Sequence, residues 1–464
     1  MIRIFSHRFN IRIAFFFVTE GFLILSSVGL AIALRFIFDK HQTTLDPTLL
    51  SKALIFAAVC QLCFSYSDLY SFKHNLYNER LVRRILQSLL AAALLILIIS
   101  FFFPSLPIGH GIFTISLIIL PVLVISWRRI YSQLLDKRLL NARVLIVGAG
   151  NLALEIGKEI LSNQTYGYRI VGFIDKDSSR VGQKILNPSI IGQYSQILGI
   201  TVNEKVDRII VALPERRGNL PVGELLKCKM LGVEVEDGLS FYEKMTGKVS
   251  LEELKPSWLI YSDGFRIQKH QRIIKRAVDI LLSIMGLLFT IPFFVLVPVL
   301  IRLDSRGRVF YRQERVGENG KRFTLLKFRS MCPNAEAGLG PIWAKKNDSR
   351  ITRIGKFLRK ARIDEIPQLI NVLKGEMSFV GPRPERPAFV DQFNADIPYY
   401  QLRYSVKPGI TGWAQVKFQY GASKEDTCEK LQYDLYYIKN LSAFLDFNII
   451  LSTIKVVLLA RGSR

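Results

Sequence analysis

The densest chemistry in the sequence lies between Arg350 and Arg386, RITRIGKFLRKARIDEIPQLINVLKGEMSFVGPRPER. Two adjacent acids, Asp364 and Glu365, follow a basic stretch holding Lys356, Arg359, Lys360 and Arg362. A carboxylate can attack phosphorus to give an acyl phosphate, and a neighbouring carboxylate can help hold a divalent cation. Surrounding arginines and lysines would neutralise the charge that spreads over phosphoryl oxygens. Histidine is absent after His270, which excludes imidazole acid–base chemistry from this region. On one continuous helix Arg359 would stand about one and a half turns before Asp364, so only a bend or a helix end lets both address one phosphate. Surface pairing of the two acids with neighbouring bases is the alternative, and the local residues leave both readings open.

A second constellation is VLIVGAGNLA, Val144 to Ala153. It reads as a strand followed by Gly148, Gly150 and a helix, with Ala153 in the third-glycine position. Such glycines give a tight turn and let a pyrophosphate approach a helix amino terminus. Asp175 closes the next strand, where a ribose-binding acid could sit. NAD or another nucleotide is the expected ligand, and a loop kept only as scaffold is the alternative. A short-chain dehydrogenase would also need a Tyr-x-x-x-Lys pair. The one match, Tyr420 with Lys424, lies far from this loop in sequence and is read as chance.

These groups need elements to hold them, and the totals say what kind. The chain has 464 residues, half of them hydrophobic, with a formal net charge of +25 and a mean hydropathy of +0.24. Length favours several units, and apolar runs with a basic wet face favour a membrane protein facing anionic lipids or phosphorylated molecules. Nucleic acid is disfavoured, because aromatic and basic residues are not interleaved as in strand-binding platforms. The five scattered cysteines form neither a disulfide framework nor a zinc site, and no cleavable signal peptide is read.

Four apolar stretches, about 11–38, 49–64, 85–103 and 112–127, are each near the roughly 20 residues that cross a bilayer. Lysines and arginines precede the first, sit between the second and third, and follow the fourth from Arg128, while the other two connections are nearly free of them, which places both termini of this set on the cytoplasmic side. From Ala142 short β-rich runs alternate with helical ones, as in an α/β unit with a parallel sheet. A fifth apolar run, 278–301, carries basic residues at both ends and Pro292 in the middle. A proline there removes a backbone hydrogen bond, so a helix-break-helix that dips into one leaflet and returns is expected, with a plain kinked span as the alternative. The stretch 441–459 reads as an interfacial or a packed core helix. The division is therefore 1–140 as four transmembrane helices, 141–265 as a Rossmann-like α/β domain, and 266–464 as an α/β catalytic domain with a re-entrant helix at about 272–303.

The residues of the last domain resemble a known family. KRAVDI (Lys275–Ile280), KFRSM (Lys327–Met331), DEIPQLINVLKGEMSFVGPRP (Asp364–Pro384) and KPGITGWAQV (Lys407–Val416) are similar, in order, to the bacterial sugar transferases. These are monotopic phosphoglycosyl transferases that prime exopolysaccharide, capsule and glycan synthesis. With four preceding spans and a nucleotide-fold module, the whole chain is similar to the long form, the polyprenyl-phosphate hexose-1-phosphate transferases. The resemblance implies that Asp364 attacks the β-phosphate of a UDP-sugar, releasing UMP, and that undecaprenyl phosphate then takes the phosphosugar. It implies that Glu365 assists, with Mg2+ held between the acids and the phosphates. It places Lys327, Arg359 and Arg383 near the phosphates, and Lys275 with Arg276 as a basic pair at the membrane interface beside the re-entrant helix of Pro292. It implies a bacterial inner membrane location with the catalytic domain on the cytoplasmic face. The lipid bilayer and other polysaccharide-assembly enzymes are then the expected partners, and there is room for a homodimer. Many relatives break the membrane helix at Ser-Pro, whereas this chain has Ile291 and Pro292. Two other functions fit parts of the sequence: a membrane-anchored NAD-dependent nucleotide-sugar dehydratase or epimerase, and a non-enzymatic assembly scaffold.

Overall fold

The structure is a computed structural model that describes residues 2–4, 7–9, 11–38, 48–67, 69–70, 79–104, 109–136, 141–163, 167–213, 218–254, 256, 259, 264–265, 268–332, 348–418 and 423–458. Tyr420 lies outside them. The chain forms two compact units, Met1–Glu236 and Asp237–Arg464.

The first unit opens with the helices Ile11–Phe38, Leu49–Tyr66, Glu79–Phe102 and His110–Asp136. Their shared core draws on Ile24, Val28, Phe56, Cys60, Ile85, Leu89, Leu120 and Val124. The opposite faces expose Phe22, Leu62, Leu90 and Val122. Helices that are apolar all round belong in lipid. With Lys269–Asp304 in the second unit, five described helices are long and apolar enough to cross a membrane, and this is a membrane protein. The fourth helix runs past Trp127, which changes the part played by Arg128. Its Nη2 lies 2.7 Å from the Glu20 carboxylate, and Nη1 donates to the Leu69 carbonyl at 3.0 Å. Arg128 is thus a buried partner of the first helix instead of a free basic flank, because a charge removed from water must be paired.

The rest of this unit is a five-stranded sheet in the order Ile190–Gln193, Tyr168–Asp175, Ala142–Val147, Arg208–Val211, Glu234–Asp237. The pairings of Ala142–Val147 with both neighbours are parallel. The order reverses beside Ala142–Val147, which places Gly148 at the switch point where doubly wound sheets take ligands. The strands Ile190–Gln193 and Glu234–Asp237 escape a sequence reading because each is four residues long, and Gly192 or the acids interrupt the apolar pattern.

The segment after Asp237 packs differently from the sequence division at 265. The Trp413 indole donates to the Gly247 carbonyl at 2.9 Å, Lys439 pairs with Glu243 at 2.8 Å, and Val249 and Leu254 join the core of the second unit. This unit is mainly helical. Among its described residues the strands form two pairs, antiparallel Phe310–Val316 with Arg322–Phe328 and parallel Ser378–Val380 with Gly409–Thr411. The α/β expectation thus reduces to a helical body carrying two small ladders.

Where the sequence predicts a break at Pro292, the chain is assigned as helix without interruption from Lys269 to Asp304, with Pro292 and Pro298 inside. Proline forfeits one backbone bond, yet the flanking turns keep theirs in a medium that offers no competing water. The Thr290 hydroxyl, two residues earlier, donates to the Gly286 carbonyl at 2.7 Å. Such back-bonding loosens a helix locally without ending it.

Candidate active site

The helix Arg353–Lys360 begins at Thr352, whose hydroxyl accepts from the Gly355 amide at 3.0 Å. It stops because Arg362 takes a left-handed conformation, φ 54°, which a non-glycine residue adopts at a cost. A short 3-10 turn, Ile363–Glu365, follows, and then the helix Gln368–Lys374. This is the helix end that lets Arg359 and the two acids serve one site.

Asp364 is 7 % exposed. Its carboxylate has no hydrogen bond and no ion pair within 4 Å among the described residues. Burial pushes this carboxyl up to about 6; Lys327 pulls the other way, Glu365 adds to the rise, and Arg359 and Arg383 oppose it. Glu365 is the reverse case. Burial opposes its charge, but Lys327 at 2.8 Å and Arg383 at 2.9 Å, both on Oε1, hold the carboxyl well below its usual range. Glu365 is therefore bonded to Lys327 and Arg383, with Arg362 at 4.0 Å from its other oxygen, while Asp364 has no ion pair within 4 Å among the described residues. Arg359 is the matching uncommitted base, since its Nη1 is buried and has no hydrogen-bond partner.

The flanking cations are set by polar contacts from elsewhere in the fold. Asn371 clamps the strand that carries Lys327, accepting from the Leu326 amide at 3.1 Å and donating to the Thr324 carbonyl at 2.8 Å. The Pro382-Arg383-Pro384 segment is held by its backbone. Arg403 donates to the Arg383 carbonyl at 3.0 Å, Arg315 to the Pro384 carbonyl at 2.8 Å, and the Gly409 amide to the Pro382 carbonyl at 2.9 Å. Gly381 allows this approach, because a Cβ there would meet the Lys407 carbonyl oxygen at 2.3 Å. Arg403 in turn donates to Asp434 at 2.9 Å and to the Tyr400 hydroxyl, and its guanidinium lies 5.0 Å from the Tyr400 ring centroid. Burial pushes the Asp434 carboxyl up to about 6, against the pull of Arg403.

The fold thus gathers Asp364, Glu365, Lys327, Arg359 and Arg383. Lys275 and Arg276 are placed otherwise. Lys275 pairs with Asp446 at 2.7 Å and donates to the Val380 carbonyl, while Arg276 donates to the carbonyls of Val372 and Leu373, capping the helix Gln368–Lys374. Both face into the body of the unit, because the first turns of the long helix lie against it, and they fix the helix to it. Pro292 is exposed, well along the same helix.

Gly148, Gly150 and Asp175 belong to the first unit. Gly148 needs its φ of +116°, and a Cβ there would meet the Ala212 carbonyl oxygen at 2.4 Å. Gly150 is the amino-terminal cap of the helix Asn151–Ser162. Asp175 is already engaged: one oxygen accepts from the Lys176 amide at 2.6 Å and the other pairs with Arg180 at 2.6 Å. A ribose hydroxyl would have to compete with that guanidinium.

Sequence reasoning missed Arg315, Asn371, Arg403 and Asp434, along with Asp279, whose carboxylate accepts from the Ser378 hydroxyl and the Phe379 amide. Asp279 sits inside an apolar helix, and an acid in that setting asks for a buried partner. Arg315 and Arg403 carry no such local signal.

Among the described residues no group of three or more His, Cys, Asp or Glu side chains is placed to hold a metal. Mg2+ takes one or two carboxylates and completes its shell with phosphate and water. Asp364, with the Glu365 Oε2 that Lys327 and Arg383 leave and that Arg362 approaches only to 4.0 Å, fits that share once a phosphorylated substrate is bound.

The bacterial sugar transferase model matches residues 270–460, and a model described as a CoA-binding domain matches residues 65–227. The chain is 42 % identical over 240 residues to the UDP-N-acetylgalactosamine-undecaprenyl-phosphate N-acetylgalactosaminephosphotransferase of Aeromonas hydrophila, covering 52 % of this chain and 56 % of that one. It is 32 % identical over 334 residues to the undecaprenyl-phosphate glucose phosphotransferase of Komagataeibacter xylinus, covering 70 % and 61 %. These matches span less than two thirds of either relative. With the UDP-galactose-lipid carrier transferase of Erwinia amylovora the identity is 31 % over 355 residues, 70 % of this chain and 72 % of that one. A match of that identity and reach, together with the family model over residues 270–460, shows that the chain belongs to the bacterial sugar transferase family.

Proposed function

We propose that the protein transfers a sugar 1-phosphate from a UDP-sugar to undecaprenyl phosphate, releasing UMP, as the priming step of exopolysaccharide or capsule synthesis. The observation that carries this reading is the unpaired, buried carboxylate of Asp364, with the unpartnered Arg359 Nη1 close enough to lower its pKa. An Asp364 oxygen forms a bond to the β-phosphorus while the bond from that phosphorus to the bridging oxygen breaks, and UMP leaves with the electron pair. The phosphosugar is then joined to the aspartate as an acyl phosphate. An oxygen of undecaprenyl phosphate attacks the same phosphorus, the carboxylate leaves, and the lipid diphosphate sugar forms. Arg359 and Arg383 stabilise the phosphoryl oxygens in both displacements, and Lys327 keeps Glu365 ionised and oriented. Mg2+ at Asp364 and Glu365 would supply further neutralisation of the phosphates.

Access to lipid follows from the helix Lys269–Asp304. Near its start Lys275, Arg276 and Asp279 are bonded into the catalytic body, and near its end Asp304 accepts from the Ile354 amide at 3.0 Å while Arg329 donates to the Ser305 carbonyl at 2.6 Å. Its buried residues are Asp279, Ser283, Val297 and Ile301, and between them Phe289 is 83 % exposed. Two ends tied to one body, with Leu288, Phe289 and Ile291 exposed between them and Phe294 turned back onto Phe328, support a re-entrant helix in one leaflet, with the site on the cytoplasmic face. The helix Ala443–Leu458 adds an exposed apolar face of Phe444, Phe447, Leu451 and Ile454 suited to the same surface.

Incubation with UDP-sugar alone, acid quench and mass spectrometry of the peptide holding Ile363–Pro367 should show one phosphosugar added at Asp364. A catalytically active preparation that never carries the adduct overturns the covalent route. The pH profile follows from the same group. The nucleophile must be ionised and burial raises its pKa to about 6, so kcat/KM for the donor is flat above that value. Below about pH 6 it should fall roughly tenfold per unit, whereas an aspartate of ordinary pKa would hold the rate to about pH 4.

A further inference from the structure

The two acids do not stand alone on their helix face. Asp364, Glu365, Gln368, Asn371 and Val372 recur at the three- and four-residue spacing of one helical stripe, and Asp364, Gln368, Asn371 and Val372 are buried. The contacts of this stripe show what it faces. Glu365 bonds Lys327, and Asn371 bonds the backbone at Leu326 and Thr324, so the stripe lies against the strand Arg322–Phe328. Gln368 falls between these two clamps and is 3 % exposed, yet its side-chain Nε2 has no hydrogen-bond partner. An amide donor buried without an acceptor costs stability, and a fold that keeps one is holding it for a partner that arrives later. One turn earlier stands Asp364, a buried carboxylate that lacks a bonded partner among the described residues.

We infer that Gln368 is a positioning residue for the nucleophile. Its amide donates to the Asp364 oxygen that does not attack phosphorus, orienting the other oxygen for in-line displacement. In the acyl phosphate that same oxygen becomes the acyl carbonyl, and the amide continues to hold it. The hydrogen bond forms only once the donor draws Asp364 into its attacking rotamer, which is why both groups stand unpartnered beforehand. The inference rests on the covalent reading above and adds a residue that the two-acid motif does not name.

The test is Gln368→Leu, which removes the donor at similar volume, with Gln368→Met as a second variant that keeps the unbranched shape and likewise offers no donor. Single-turnover formation of the phosphosugar adduct should slow by about tenfold to a hundredfold, the loss of one hydrogen bond to a charged group. The KM for the donor should stay within about twofold, and Gln368→Leu should unfold no earlier than the parent, since it deletes an unsatisfied buried amide. Adduct formation at the parental rate in a folded Gln368→Leu protein overturns the proposal, as does a loss confined to KM. If Gln368→Leu will not fold, parental adduct formation in Gln368→Met overturns it equally. Asp364→Asn, assayed alongside, separates the two ideas. If Asp364→Asn is inactive and Gln368→Leu is normal, only the role of Gln368 fails; if Asp364→Asn still transfers, the covalent reading itself fails.

Discussion

Asp364→Asn should lower transfer of sugar phosphate to undecaprenyl phosphate by more than about a thousandfold, because a carboxamide has no anionic oxygen to give phosphorus. The expected size rests on the isolation of this carboxylate. Glu365 is tied to Lys327 and Arg383, and its carboxyl is held ionised by them, so it cannot swing across to replace the lost nucleophile without breaking both ion pairs. Asparagine is nearly isosteric and removes a buried group whose charge was opposed by burial, so the variant should fold and insert as the parent does. Radiolabelled transfer in membranes, with folding followed by thermal unfolding in detergent, reads both quantities. Retention of even a tenth of parental turnover would remove Asp364 from the chemistry.

Arg403→Leu should destabilise the second unit by about 3–5 kcal/mol, the typical result of removing one partner from a buried pair. Arg403 is 6 % exposed, and its loss strands the fully covered Asp434 and unties the Arg383 carbonyl and the Tyr400 hydroxyl together. The pH dependence carries a definite sign. The folded-state pKa of Asp434 is already raised to about 6 by burial, so protonation is favoured in the folded protein. Without Arg403 to oppose it, that pKa should rise further, and the variant should lose most stability as pH increases through 6 and upward. Unfolding followed at pH 5 and pH 8 should show the larger deficit at pH 8. Asp434→Asn in the same background should recover part of it, since an amide needs no counter-charge. A variant as stable as the parent at pH 8 would mean that water reaches Asp434. Where the protein still folds, activity should fall as well, because Arg383 is presented by a backbone that Arg403 holds.

The division of labour between sequence and tertiary structure can be read from particular residues. Apolar runs of bilayer length, the glycine turn after Val147 and the pairing of Asp364 with Glu365 are local patterns, and each was legible because its physics acts between near neighbours in the chain. The same locality explains the misses. Whether Lys275 faces lipid or Asp446, whether Arg128 is a flank or the partner of Glu20, and whether a helix continues through Pro292 depend on groups far off in sequence. The two small ladders and the allegiance of Gly238–Leu254 to the second unit likewise arise from contacts such as Trp413 with Gly247.

The sequence by itself determined which side chains could do phosphoryl chemistry and that they lie beside membrane-length helices. Only the tertiary structure decided that one carboxylate of the pair is neutralised by Lys327 and Arg383 while the other is left unpaired. The physical reason is that burial and charge pairing are properties of three-dimensional neighbours. Two adjacent acids of nearly equal intrinsic pKa become different reagents when the fold bonds cations directly to one and leaves the other, more strongly governed by burial, with cations only nearby.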